Sequence, residues 1–148
     1  MACAAGRDTG GKRRLVAGME CHGDVVLMAV ILIVEDETFT RELAELLIQD
    51  FGHGTLAASD VGEAILLLKS PESIDALFTD IYLKAAVLGG CELAARAIAL
   101  RPEIRVLYTT GNTVTDSMKS MFVDGKHFLP KPYTPGQLQH SVEELLAA

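Results

Sequence analysis

The stretch VILIVEDE, residues 30–37, decides the fold. Its first five residues are apolar, and Val30, Ile31, Ile33 and Val34 are β-branched. An unbroken apolar run of this length reads as a strand covered on both faces, the situation of an inner strand in a parallel sheet. Glu35, Asp36 and Glu37 follow directly, so acids stand at its carboxyl end.

Outward from that strand the chain alternates helix and strand. Thr38–Asp50 reads as a helix with Phe39, Leu43, Leu46 and Leu47 on its inward stripe and Gly52 as its stop signal. Gly54–Ala57 is a weak second strand. Val61–Lys69 is a helix capped by Asp60, turned inward at Ala64, Ile65 and Leu68 and ended by Pro71. Ala76–Thr79 is a third strand, and Gly90–Leu100 a helix stopped by Pro102. Arg105–Thr109 is a fourth strand, Val114–Val123 a weaker helix, Lys126–Leu129 a fifth strand and Thr134–Leu146 a last helix. Five strand–helix units of this length predict an α/β domain with a parallel sheet and helices on both faces. No stretch repeats.

Composition agrees and removes several classes of function. The chain has 148 residues, 49% of them hydrophobic, which suits one domain with a real core. The net charge is −7, and the cations Arg7, Lys12, Arg13 and Arg14 sit in the first 27 residues, so the body is acidic. An acidic body excludes a nucleic-acid surface, which needs a clustered basic face. Cys3, Cys21 and Cys91 form no CxxC pair and are odd in number, against a disulfide framework or a zinc site and in favour of a reduced, cytoplasmic setting. The apolar run Val25–Val34 is too short to cross a bilayer. Lys12, Arg13 and Arg14 ahead of it faintly resemble a signal peptide, but the run ends in acids with no small-residue cleavage site. Residues 1–27, with scattered glycines and no period, read as a loose extension, and residues 28–148 as the folded domain.

In an open parallel sheet the working site lies beyond the carboxyl ends of the strands. There stand Glu35 and Asp36, then Asp80, then Thr109 and Thr110, then Lys131 before Pro132. Acids brought to one rim repel unless a cation sits among them, and hard oxygen donors suit Mg²⁺. A lysine and a threonine beside that cation make sense if a phosphoryl group joins them, and an aspartate can be its nucleophile. Each residue also has an ordinary role to set beside this one. Glu37 is a solvated turn residue, Asp80 could cap a helix, Thr109 packs or bonds within its strand, and Lys131 could be a surface amine. Phe128 could be plain core, and Cys91 is a packing residue on the third helix. His53, His127 and His140 stand alone and read as structural or solvent-facing.

The segments ILIVEDE, FTDIYL, VLYTTGN and FLPKPYTPGQL, in this order and spacing over residues 29–146, resemble the receiver domain of bacterial response regulators, of the single-domain, chemotaxis-regulator-like kind. The resemblance implies a flavodoxin-like doubly wound sheet with strand order 2-1-3-4-5. It implies that Asp80 is the phosphoacceptor and that Mg²⁺ is held by Glu35, Asp36, Asp80 and the carbonyl of Tyr82, Asp36 being the more direct ligand of the acidic pair. Thr110 matches the switch hydroxyl and Phe128 the switch aromatic. Lys131 matches the amine that pairs with the phosphoryl group, and its bond to Pro132 is cis in the family. The phosphodonor would be a histidine kinase or phosphotransfer protein, and the output a downstream protein target, since the chain ends at Ala148 with no further domain after the last helix. Such a protein is a signalling domain that at most catalyses its own phosphorylation and dephosphorylation.

The sequence departs from the family pattern after Asp80. Lys84 stands where a proline is usual, the acid before the glycine is absent, and the loop to Gly90 is somewhat long. A receiver-like interaction module without phosphoryl turnover is the alternative this loop keeps open. A phosphatase of the haloacid dehalogenase type needs a second acid two residues after the nucleophile, and Tyr82 stands there.

Overall fold

The computed structural model describes residues 14–15, 27–83, 89–122 and 127–147. Five parallel strands, β1 (Val30–Val34), β2 (Gly54–Ala58), β3 (Ala76–Asp80), β4 (Arg105–Thr110) and β5 (His127–Pro130), form one sheet. The order is β2-β1-β3-β4-β5, the 2-1-3-4-5 arrangement. Among the described residues five helices accompany them: α1 (Thr38–Asp50), α2 (Val61–Lys69), α3 (Gly89–Leu100), α4 (Asp116–Lys119) and α5 (Pro135–Ala147).

Strand alternation sorts the core into two layers. Leu32, Val34, Leu77, Val106 and Tyr108 point to one face and pack with Leu68 of α2 and Leu93 of α3. Ile31, Ile33, Phe78 and Leu107 point to the other and pack with Ile48 of α1 and Leu138, Val142 and Leu145 of α5. All five residues of β1 are buried, because helices cover both faces of the strand between β2 and β3.

Helix ends follow local chemistry. Glu37 caps α1, its carboxylate accepting from the Thr40 amide at 3.2 Å. Gly52 ends that helix at φ 99°, a left-handed conformation that glycine adopts freely. Asp60 caps α2 and accepts from the Glu63 amide at 2.8 Å, while the Glu63 carboxylate reaches back to the Ser59 amide at 2.6 Å. Thr134 and Gln137 form a reciprocal capping box at α5, with bonds of 3.1 and 2.8 Å and Pro135 at the first helical position.

One expectation is reversed. Phe39, Leu43 and Leu46 of α1 face outward, 72%, 44% and 65% exposed, while Ala44 and Ile48 face the sheet and Leu47 is partly buried. A helix carrying two apolar stripes has no orientation fixed by periodicity alone. Here small Ala44 lets α1 lie close against β1, and the larger stripe is left on the surface. The fourth helix is also shorter than its pattern suggested: it begins at Asp116, capped by the Thr115 hydroxyl, with Val114 outside it. β3 and β4 each run one residue further than expected, to Asp80 and Thr110.

Ahead of the sheet, Arg14–Leu15 pairs antiparallel with Leu27–Met28. The remaining residues of the extension, the unusual loop at 84–88, Val123 and Lys126 lie outside the described residues. Of the histidines, His53 has a structural role. Its Nδ1 accepts from the Ala29 amide at 3.3 Å, and burial lowers its pKa, favouring the neutral ring that can accept. Among the described residues no helix is long and apolar enough to cross a membrane.

Candidate functional site

Parallel strands deliver the groups at their carboxyl ends to one rim. β1 brings Glu35 and Asp36, β3 brings Asp80, β4 brings Thr109 and Thr110, and Lys131 follows β5. The rim is held by backbone bonds that cross between strand ends. The Ile81 amide donates to the Thr109 carbonyl at 2.9 Å, and the Lys131 amide donates to the Thr110 carbonyl at 3.0 Å. The Lys131–Pro132 bond is cis.

Lys131 Nζ lies 2.6 Å from Glu35 Oε1 and 2.8 Å from Asp80 Oδ2, bridging the two acids. Each carboxylate has a second, backbone partner. Glu35 Oε2 accepts from the Glu37 amide at 3.1 Å, and Asp80 Oδ1 accepts from the Tyr82 amide at 3.1 Å. Ligand atoms of Glu35, Asp36 and Asp80 all lie within 4.8 Å of one another. Burial pushes the Glu35 carboxyl above the usual carboxylate range, more strongly than its bond to Lys131 pulls it down, and nearby Asp80 adds to the rise. Burial alone would lower the Lys131 pKa, but its bonds to Asp80 and Glu35 outweigh that and raise it, so the lysine is an ammonium at neutral pH.

Among the described residues, Glu35, Asp36 and Asp80 offer a cluster of carboxylate oxygens beside the Lys131 ammonium. A divalent cation with hard oxygen preference fits that donor set, and Glu35, Asp36 and Asp80 are the side chains that would hold it. The Tyr82 backbone, tied to Asp80 through its amide, lies beside them.

The two threonines differ by strand parity. Thr110 is on the face of Tyr108 and is 1% exposed, with its Oγ1 accepting from the Asn112 amide at 3.2 Å. Phe128, opposite Tyr108 in register, packs in that same layer. Thr109 points to the other face, into a small pocket lined by Ile33, Glu35, Thr40, Phe78 and Tyr133. Its hydroxyl is buried without a hydrogen-bond partner among the described residues. Thr110 and Phe128 therefore share a layer, while Thr109 is separated from Phe128 by the sheet.

Four residues of the site carried no sequence signal that singled them out. Phe122 stacks on Tyr108, with centroids 4.3 Å apart, and on Phe128 at 6.2 Å. Arg41 donates to the Glu35 carbonyl at 2.9 Å, its place one turn into α1 being the only hint. Tyr133 packs on Phe78 behind the lysine, and burial raises its pKa. Gly90 brings the start of α3 against β3, its amide donating to the Ile81 carbonyl at 3.0 Å; the Gly89-Gly90 pair was the available clue.

This arrangement gathers an acidic cluster and a lysine at the carboxyl rim of a doubly wound sheet, and the chain belongs to the response regulator receiver domain family, which matches residues 31–143. Receiver domains are the signalling units of two-component systems, and aspartate phosphorylation and Mg²⁺ binding are general features of the family. A response regulator receiver protein from Sinorhizobium medicae WSM419 is 30% identical, with a TM-score of 0.74 over 82% of this chain and 96% of that one. A CheY-like receiver domain protein from Methanospirillum hungatei JF-1 is 24% identical, with a TM-score of 0.73 over 81% and 94%. The chemotaxis protein CheY4 of Vibrio cholerae is 24% identical, with a TM-score of 0.70 over 80% and 98%. The last two likenesses concern the fold.

Proposed function

We propose that this protein accepts a phosphoryl group on Asp80 from a phosphohistidine of a histidine kinase or phosphotransfer protein. The observation that carries the reading is the Lys131 bridge between Glu35 and Asp80 inside a three-carboxylate cluster. An Asp80 carboxylate oxygen attacks phosphorus, the P–N bond breaks, and its electron pair returns to the imidazole, leaving an acyl phosphate. Glu35, Asp36, Asp80 and the Tyr82 carbonyl would hold Mg²⁺, which would offset the negative charge of the phosphoryl oxygens. Lys131 trades its bond to Asp80 for one to a phosphoryl oxygen and keeps Glu35 as its second partner. Thr110 then donates to another phosphoryl oxygen, and Phe128, in the same layer, shifts with it. The receiving face is made by α4, β5 and α5, and the output is contact with a downstream protein.

The outward stripe of α1 supports the donor half of this reading. Phe39, Leu43 and Leu46 begin two residues past Glu37, beside the acids. A donor must bring its histidine to Asp80 and so must cover this rim, and exposed apolar surface there suits such a contact. The same proposal places the protein in the cytoplasm.

Incubation with acetyl phosphate and Mg²⁺ should add the mass of one phosphoryl group, and Asp80→Asn should abolish the gain. An undiminished gain in that variant would remove Asp80 from the role. Residues 28–148 are the receiver unit in this reading, and residues 1–27 are dispensable to it. A chain starting at Met28 should melt within a few degrees of the full chain. A much larger drop would show that the extension contributes to the core.

A further inference from the structure

We infer that the phosphoryl site is coupled to α4 by a second route, through Tyr82 and Met118, distinct from the Thr110–Phe128 route; this rests on Asp80 being the phosphoacceptor. Tyr82 holds both ends of the connection. Its amide donates to Asp80 Oδ1 at 3.1 Å, on the nucleophile itself. Its hydroxyl donates to Met118 Sδ at 3.4 Å, in the first turn of α4. Met118 is buried, and its own amide is held by the Thr115 hydroxyl that caps the helix. One residue therefore spans from the reacting carboxylate to the cap of α4.

The chemistry at Asp80 gives this span a signal to carry. The resting carboxylate offers the Tyr82 amide a charged acceptor, and such bonds are roughly twice as strong as neutral ones. Formation of the acyl phosphate removes that charge from the carboxyl oxygens and places negative charge on the phosphoryl oxygens nearby. The best acceptor for the Tyr82 amide changes place, so residue 82 re-seats. Its ring is tethered at the far end to sulfur, a weak acceptor that lets go or follows at little cost. Either outcome changes how Met118 and the first turn of α4 are held. Four residues further along, Phe122 stacks on Phe128. The stretch from α4 to Phe122, three residues past the helix, is thus gripped at two points, at Met118 from the β3 end and at Phe122 from β5. One grip on the short helix and one just past it make this stretch the natural bistable part, biased from both sides by the same phosphoryl group.

The test follows the response to beryllofluoride plus Mg²⁺, a stable phosphoryl mimic, in the full chain by NMR. A side chain that only fills space would alter the spectra with and without the mimic equally and leave the difference between them unchanged. In Met118→Leu, which keeps the apolar bulk and removes sulfur, the mimic-induced amide shifts at Asp116–Lys119 should fall below half their wild-type size, while those at Phe128 persist and the phosphoryl mass gain is retained. In Tyr82→Phe, saturated with the mimic, the Met118 methyl shift should likewise fall below half. Wild-type-sized α4 shifts in Met118→Leu, or a wild-type-sized Met118 methyl shift in Tyr82→Phe, would overturn the route while leaving Asp80 as the acceptor. Absence of any response at residues 80–82 in the wild type would instead remove the phosphoacceptor reading, and this inference with it.

Discussion

Gly90→Ala should lower the melting temperature by roughly 10 °C and impair phosphoryl acceptance together. Helix propensity alone argues for the opposite sign, since alanine is favoured over glycine by about 1 kcal/mol inside a helix. The surroundings decide otherwise. A Cβ at Gly90 would overlap the carbonyl oxygen of Asp80 and stand 2.8 Å from Ile81 Cα and 2.9 Å from the Asp80 carbonyl carbon. These are backbone atoms of the site strand, fixed by the Ile81 amide bond to Thr109 and by the Gly90 amide bond to Ile81. No side chain can swing aside, so either α3 lifts from the sheet or the Asp80–Ile81 peptide moves. Overpacking of this kind costs about 3 kcal/mol, which corresponds to roughly 10 °C in a domain of this size. Any relief that comes from moving the peptide displaces the nucleophile. Gly62→Ala is the matched control. Gly62 lies in α2, where a Cβ would meet only Asp60 Oδ1 at an ordinary 3.4 Å. There the same substitution should be neutral or stabilising. A Gly90→Ala protein that melts at or above the wild-type temperature would show that α3 does not press on the site as described.

How far such features are readable from sequence depends on whether one residue or a pair of distant ones decides them. The five strands were legible because each is a short apolar run between charged or turn residues, and buried parallel strands leave little else possible. The four rim groups were legible because they follow those strands directly. Lys131 meeting both Glu35 and Asp80 could be expected as a convergence, though the bonds at 2.6 and 2.8 Å could not. The facing of α1 was not legible. Phe39, Leu43 and Leu46 make as good a stripe as Ala44, Leu47 and Ile48, and only packing against β1 chooses between them. The length of α4 was also hidden, since Val114 and Phe122 extend the apolar pattern beyond the four residues that are helical. Those two residues are partly buried against the core from the flanks of the helix, so their pattern reports packing rather than helical period. Gly90 shows the same limit: a glycine at a helix start reads as permissive, and its requirement appears only when Asp80 is seen behind it.

Thr110→Ala should still gain a phosphoryl group on Asp80 but leave the Phe128 layer in its resting arrangement. In the proposed reaction the chemical step would rest on the Asp80 carboxylate and on Lys131, whose bridges to Glu35 and Asp80 do not pass through the threonine. The hydroxyl contributes only once a phosphoryl oxygen is there to accept from it. A hydrogen bond to a charged group is worth roughly 1.5–3 kcal/mol, enough to move a two-state equilibrium by a factor on the order of tens. Without it, Phe128 has no reason to leave its stack on Phe122, which is itself held on Tyr108. Lys131→Ala should disturb this coupling as well, because the phosphoryl oxygens then lack their ammonium, and it also leaves Glu35 and Asp80 facing each other unbridged. Amide spectra of both variants with and without beryllofluoride separate the roles. Thr110→Ala should respond at residues 80–82 and lose most of the response at Phe128 and Phe122. A full wild-type response at Phe128 would refute the switch role of Thr110. Thr109 would then be the next hydroxyl to test, although it lies across the sheet from Phe128 and faces Glu35 and Tyr133 instead. Thr109→Val would meet that test directly: it removes a buried hydroxyl that has no partner among the described residues, so it should hold or raise stability while leaving the Phe128 response intact.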